Sequence, residues 1–263
     1  DRGYRFYVDS LMEPPVLEPE KKNYISSSFD GQADETDDIL KLTSIILSQI
    51  TNQLACVSYP NFENAHLERI QILQVSSSRI LVVVSVKSGL IRTITLEITS
   101  NVSFEQIESV QQLLNEKLCG LSFQEIRTTF TERFRDYSDS GNTIIRLFLD
   151  SIDKIFTDVR SSESLFISGT RNIMKQPEFE NIRQFQGIIE LIEDKDVIVH
   201  IMEKKAGLDE HNLVVSIGEE NSLERLSDYS LITKKYKFGD VNGSLGIIGP
   251  RRMEYSKTIA AVE

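Results

Sequence analysis

Apolar residues along this chain change their period several times. Ile39, Leu42, Ile46, Ile50 and Leu54 recur every third or fourth position, which predicts an amphipathic helix. Asp34, Glu35, Asp37 and Asp38 crowd its start, where carboxylates favour a helix N-terminus. A shorter helix is predicted over Pro19–Phe29, after the Pro- and Glu-rich stretch EPPVLEPE, with Gly31 interrupting it. The pattern then turns to strands over 54–59, 67–75 and 79–86, and Lys87-Ser88-Gly89 supplies a turn. Residues 90–98 alternate, with Leu90, Ile94, Leu96 and Ile98 on one face. Strands joined by such short turns predict antiparallel pairing.

The middle of the chain returns to the helical period. Ser103 with Gln106, and Ser122 with Glu125, are capping-box pairs. The first opens a helix carrying Phe104, Ile107, Val110, Leu113, Leu114 and Leu118, and Gly120 can stop it. The second opens an aromatic stripe of Phe123, Ile126, Phe130, Phe134 and Tyr137. After a turn at 138–141, Asn142 can cap a helix bearing Ile145, Leu149, Ile152, Phe156 and Val159. A short strand at Leu165–Ser168 follows, then a helix opened by Pro177 with Phe179, Ile182, Phe185, Ile189 and Ile192, then a helix over 197–205. Strands are predicted at 213–217, 230–238 and 244–248, with Asn242-Gly243 turning between the last two. Pro250 ends them, and 253–262 reads as a final helix. At the other end, 5–8 reads as a strand with nothing upstream to pair with, so the text is expected to begin inside a domain. The pattern predicts an α+β fold: an antiparallel sheet flanked by helices and interrupted by a helix-rich insertion.

Composition narrows the function classes. The chain is 40% hydrophobic and 26% charged, within the globular range, and no apolar run approaches the ~20 residues of a membrane-crossing helix. A net charge of −11 argues against a broad basic face that coats nucleic acid. Cys56 and Cys119 form no CxxC pair, which points to a reducing, cytoplasmic compartment. His66, His200 and His211 have no metal-ligand spacing, and there is no nucleophile elbow or Walker A loop. Ser151-Ile152-Asp153-Lys154 matches SxxK only formally, and Ser103 of Asn101-Val102-Ser103 is better used as a helix cap. The glycines of 243–249 are spaced GxxGxxG and lack the strand-helix-strand continuation of a dinucleotide site. No catalytic, cofactor or metal site is therefore expected. Short helices offer limited interior, so apolar area in the helical block is expected to be covered by a second copy of the chain. Phe123, Ile126, Phe130, Phe134, Ile145 and Phe148 are the expected interface.

Several stretches together resemble the HrcA family of bacterial heat-inducible transcription repressors. Asp1-Arg2-Gly3-Tyr4-Arg5-Phe6-Tyr7-Val8-Asp9 is similar to the wing strand closing that family's winged-helix domain. Gly169-Thr170-Arg171-Asn172 with Gln176-Pro177-Glu178-Phe179, Ile217-Gly218-Glu219-Glu220-Asn221 and Asp228-Tyr229-Ser230-Leu231-Ile232-Thr233 resemble its internal motifs. Gly246-Ile247-Ile248-Gly249-Pro250-Arg251-Arg252-Met253-Glu254-Tyr255-Ser256 resembles its GviGPxRMdY signature. The resemblance implies the end of a winged helix and a linker at 1–16, a GAF-like domain at 17–100 and 197–263, and an inserted dimerising domain at 101–196. It implies repression of chaperone operons by a homodimer on the inverted-repeat CIRCE operator, with the GroEL chaperonin sustaining activity. On that reading Arg2 and Arg5 lie near DNA phosphates, and Gly249, Pro250, Arg251, Met253 and Tyr255 form a structural turn or second contact. The rival expectation is a GAF-type small-molecule sensor with a pocket lined by Val82, Val84, Ile94 and Leu96.

Overall fold

The computed structural model describes residues 1–29, 36–98, 102–139, 143–157, 165–205, 213–221 and 223–263. In chain order these form α1 (Arg2–Phe6), a π-helical turn (Tyr7–Leu11), α2 (Pro19–Phe29), α3 (Thr36–Thr51), β1 (Leu54–Ser58), β2 (Leu67–Ser76), β3 (Arg79–Val86) and β4 (Ile91–Glu97). There follow α4 (Phe104–Leu118), α5 (Phe123–Arg133), α6 (Arg135–Asp139), α7 (Thr143–Asp150), α8 (Ile152–Phe156), β5 (Leu165–Ser168) and α9 (Thr170–Ile173). The rest is α10 (Ile182–Glu193), α11 (Lys195–Lys205), β6 (Val214–Ile217), β7 (Tyr229–Phe238), β8 (Val241–Pro250) and α12 (Tyr255–Val262). Antiparallel sheets flanked by helices make this an α+β fold, as the periodicity predicts. The chain divides into two compact units, one of 1–59, 160–236 and 243–263, the other of 60–159 and 237–242.

The first unit is built on a five-stranded sheet in the order β5-β1-β8-β7-β6. Strand β1 lies between β5 and β8, and its five residues Leu-Ala-Cys-Val-Ser are all buried. A strand covered on both faces needs no alternation, and this run has none. Leu54 and Cys56 join a core with Ile188, Leu191, Ile198 and Met202 from α10 and α11. Ala55 and Val57 join the opposite core with Leu40 and Leu47 of α3 and Ile259 and Val262 of α12. Each leucine, isoleucine, valine or methionine among these contributes about 1.5–3 kcal/mol by leaving water. Burial pushes the Cys56 thiol up to about 12, so it packs as a small hydrophobe rather than a nucleophile.

The second unit holds the three-stranded sheet β2-β3-β4. Ile80, Val82, Val84 and Val86 of β3 are buried while Arg79 is exposed and Leu81, Val83 and Ser85 are intermediate, a period-two signal. In register, Ile72, Val82 and Ile94 form one row and Ile80 pairs with Leu96. Helix α4 guards the open edge of β2. Asn115 Oδ1 accepts from Ile70 N at 2.8 Å, Asn115 Nδ2 donates to Ile70 O at 2.8 Å, and Gln111 Oε1 accepts from Ile72 N at 2.7 Å. These amides satisfy backbone groups that an edge strand would otherwise offer to another chain. Both capping boxes form as predicted, Ser103 with Gln106 and Ser122 with Glu125. The aromatic stripe is interior: Phe123 packs edge-on against Phe156 at 5.2 Å, and Phe130 stacks on Phe134 at 4.4 Å. The tip of the β7–β8 hairpin belongs here too, with Asp240 Oδ2 accepting from His66 N at 3.0 Å and facing His66 Nδ1 at 3.3 Å. Burial raises the Asp240 pKa, but the hydrogen bonds from His66 and its own backbone outweigh this and hold it below its ordinary 3.8. A depressed folded pKa contributes stability above the unfolded value and loses it as pH falls through the folded one. Asp240→Asn should therefore flatten the loss of stability below pH 3.8 in denaturation curves of the protein.

Several expectations are corrected. Residues 5–8 are helical, not a wing strand, and their backbone groups are met within the segment, as in Arg5 N to Asp1 O at 3.0 Å. The units divide at 59/60 and 159/160, not at 100/101 and 196/197. Both edges of β1 are taken by β5 and β8, so β2–β4 form a sheet of their own, and Phe179 to Met202 pack on β1. Phe123, Ile126, Phe130, Phe134, Ile145 and Phe148 are at most 1% exposed, which makes them interior and not an exposed interface. Val82, Val84, Ile94 and Leu96 are buried as well, so the pocket expected against them is filled by side chains. The last hairpin turns before Val241, not at Asn242-Gly243. Gly243 lies within β8, where a Cβ would come within 2.2 Å of the Tyr236 ring. The predicted 142–159 helix is broken at Ser151 into α7 and α8. Gly31, Asp34, Glu35, Asn101, Gly141, Asn142, Val159 and His211 lie outside the described residues.

Candidate functional site

The signature at the end of β8 organises a polar network in the first unit. β8 is buried through Pro250, and a turn closes with Met253 N donating to Pro250 O at 3.1 Å. This leads into α12 and places Met253 and Tyr255 in the core. Tyr255 Oη donates to Arg251 O at 2.6 Å and lies 2.7 Å from Ser230 Oγ. Burial raises its pKa and the Ser230 hydrogen bond opposes that. The phenol therefore stays protonated and acts as a tie between turn and sheet. Tyr255→Phe should cost about 1–2 kcal/mol, because Arg251 O and Ser230 lose a partner. Thermal denaturation checks this, and an unchanged midpoint would show the tie to be idle.

Arg251 spreads over three partners. Nε donates to Ser227 O at 2.8 Å, Nη2 to Asp228 Oδ1 at 3.0 Å, and Nη1 faces Asp1 Oδ1 at 3.3 Å. Arg252 pairs with Glu178 of the Gln176–Phe179 motif. The Ile217–Asn221 motif completes the ring. Asn221 is buried and its Nδ2 donates to Gly218 O, Leu226 O and Tyr229 O at 2.9, 3.1 and 3.0 Å. Glu220 Oε2 accepts from Ile217 N at 2.9 Å and Glu220 also holds Arg5.

The N-terminal segment is fastened to this network. Arg5 Nε donates to Glu220 Oε1 at 2.9 Å and its Nη2 to Val215 O at 2.7 Å, while Nη1 faces Asp9 at 3.3 Å. Glu220 leads the causes that raise the Arg5 pKa, so the guanidinium is permanently charged. Asp1 Oδ2 accepts from Glu219 N at 3.3 Å, and the Tyr4 and Tyr255 rings lie 6.1 Å apart. Of the residues expected near DNA, Arg2 is exposed on α1 and Arg5 is committed to the protein's own carboxylates. Of the signature residues, Gly249 and Pro250 end β8, Arg251 and Met253 lie in the turn, and Tyr255 opens α12. Sequence reasoning assigns no individual role to Asp1, Glu178, Glu220, Asn221, Asp228 and Ser230, although all six sit in the quoted motifs; of them Asn221 and Ser230 are buried. Their charges join the motifs to one another. Such a network can orient a segment. Among the described residues no cluster of His, Cys, Asp or Glu could hold a metal, and no helix is long and apolar enough to cross a membrane.

Comparison with known proteins gives a consistent picture. The model of the family described as "HrcA protein C terminal domain" matches residues 37–259. The "Heat-inducible transcription repressor HrcA" of Chlorobium phaeobacteroides (strain BS1) is 35% identical over 273 residues, covering 100% of this chain and 76% of that protein. Those of Chlorobaculum tepidum and Acetivibrio thermocellus are 33% and 34% identical, covering 100% of this chain and 76% and 74% of theirs. A solved structure titled "Crystal structure of a hypothetical protein at 2.2 A resolution" aligns with TM-score 0.53 at 16% identity, over 99% of this chain and 74% of that one. That likeness concerns the fold alone.

Proposed function

From the premise that this chain belongs to the HrcA family of heat-inducible transcription repressors, we propose that it is the pairing and regulatory body of a repressor that binds the inverted-repeat CIRCE operator as a homodimer. Negative regulation of heat-shock transcription, a non-enzymatic role, is what its relatives are named for. The family match over 37–259 carries the reading. An inverted repeat demands two reading heads related by a two-fold axis, so the body must pair. The fastening of residues 1–9 to Arg251, Glu219 and Glu220 supports a further element of the proposal: the orientation of whatever precedes Asp1 is set by the signature network. The cytoplasm is the compartment in which operator DNA and the reduced thiols of Cys56 and Cys119 coexist.

Pairing is assigned to the second unit, but to its sheet rather than its aromatic core. The face of β2–β4 opposite the buried rows carries Leu73 and Ile91, 53% and 60% exposed, beside half-buried Leu81 and Val83. These apolar side chains stand among Gln71, Thr93 and Thr95, a mixed face of the composition that subunit interfaces carry. Leu73→Glu with Ile91→Glu should yield a folded monomer by sedimentation equilibrium and weaken operator binding at least about tenfold, by loss of avidity. A double variant that stays dimeric overturns this location.

Activity is sustained, in this proposal, by the GroEL chaperonin. A repressor of marginal stability that is rescued from its unfolded state is kept in supply at low temperature. It is lost when heat diverts the chaperonin to other clients. Operator binding that survives repeated heating without chaperonin would count against this part.

A further inference from the structure

Residues 1–11 are held to the first unit by charge more than by burial. Helix α1 and the π-helical turn have five residues each, too short to be helical in water on their own. Their order therefore comes from what they touch. Residues 2–11 are all exposed or half-buried, and Phe6 and Leu11 are 59% and 61% exposed. Val8 packs, half-buried, on the core shared by α3 and α12. An open groove of about 840 Å³ lies between Tyr4 and Tyr7 on the segment and Leu17 and Met253 on the body, so apolar contact there is incomplete. The firm contacts are polar. Arg5 Nε and Nη2 reach the two oxygens of Glu220, and Nη2 also donates to Val215 O. Asp1 Oδ1 faces Arg251 Nη1 and its Oδ2 accepts from Glu219 N. Gly218, at φ 58°, leaves the space that the Asp1 carboxylate occupies. The Arg5 and Glu220 side chains are 31% and 36% exposed, so dissolved salt reaches this pair and weakens it.

We propose that residues 1–11 are a releasable arm, clasped by Arg5 on Glu220 and Asp1 on Arg251, that leaves the body while the body stays folded. Half-exposed ion pairs hold a segment far less firmly than a packed core holds its strands, so the arm opens first. The proposal goes beyond the repressor reading and does not depend on it. Joined to that reading, a closed arm fixes the direction of whatever precedes Asp1, and an open arm leaves that direction unset.

Chymotrypsin tests this without DNA. It cuts after Tyr4, Phe6 and Tyr7, and a helical backbone is cut only once it opens. The rate of cutting within 1–11 is followed by mass spectrometry, relative to a short peptide substrate in the same buffers. Raising NaCl from about 0.05 M to about 1 M should speed the cut about fivefold or more, with near-UV circular dichroism unchanged. Glu220→Gln keeps an amide oxygen for Ile217 N but loses the charge, and should speed the cut about fivefold at low salt. Arg5→Gln should do at least as much. The double variant should be no faster than Arg5→Gln alone, because the two residues form one clasp. Cutting that salt leaves unchanged or slows would show that apolar contact holds the segment, and would overturn the proposal. So would single-variant effects that multiply in the double variant, or cutting that begins only when the near-UV signal is lost. Should Glu220→Gln unfold, the salt series on the native protein and Arg5→Gln decide the matter.

Discussion

Gly169→Ala should be the most damaging single-methyl change in the first unit, costing about 2–5 kcal/mol. Gly169 sits at φ 92°, where an L side chain is strained by about 1–2 kcal/mol. A Cβ would also lie 2.1 Å from Gln53 O and 2.8 Å from Ser48 Cβ, both at the α3–β1 junction. Overpacking against backbone adds about 1–3 kcal/mol. The close approach has a purpose. Asn172 Nδ2 donates to Ser48 O at 3.1 Å, and Gln176 Nε2 donates to Asn52 O at 3.0 Å and Gln53 Oε1 at 2.9 Å. The Gly169–Asn172 and Gln176–Phe179 motifs thus strap the end of α3 to the start of β1. The expected observation is a fall of about 6 °C or more in thermal midpoint. An unshifted midpoint would mean that the strap does not lie on Gln53.

Phe130→Asp should collapse the second unit rather than split a dimer. Phe130 is 1% exposed and stacks on Phe134. Losing the ring costs about 3–5 kcal/mol, and burying an unpaired carboxylate adds several more. The near-UV circular dichroism of the aromatic core should vanish. Phe130→Leu, which keeps an apolar filler, should retain that signal at a cost nearer ~1–2 kcal/mol. A Phe130→Asp protein that is folded and monomeric would return Phe130 to a subunit surface, where sequence alone would place it.

That contrast shows what the sequence reveals and what it hides. Leu165–Ser168, Arg79–Val86 and Pro19–Phe29 occupy the predicted residues, because their signals are local: period, turn residues and flanking caps. The two capping boxes are legible for the same reason, since donor and acceptor lie three residues apart. Strand pairing is not local. Nothing in Leu54–Ser58 announces that both its edges are filled by strands from beyond residue 164, yet that pairing excludes β2 and moves the unit boundary. Residues 5–8 have strand propensity and are nevertheless helical, with their backbone hydrogen bonds made within the segment. Interior and interface look alike in a helical stripe: Phe123 to Phe134 are as apolar as an interface requires, and only the packing tells them apart. In the candidate site, Arg251 and Tyr255 stand out as a motif. Their partners Asp1, Asp228 and Ser230 come from two separate segments that only the fold brings to them.

The central claim is that this chain pairs two reading heads on an inverted repeat. The most direct measurement is the binding of the complete repressor containing this chain to a labelled operator from upstream of a chaperone operon. Affinity and mass of the complex are read together, before and after heating, with and without chaperonin and ATP. The account predicts two chains per operator, preference over a scrambled repeat, loss on heating and recovery with the chaperonin. One chain per operator, or equal affinity for the scrambled repeat, would contradict it.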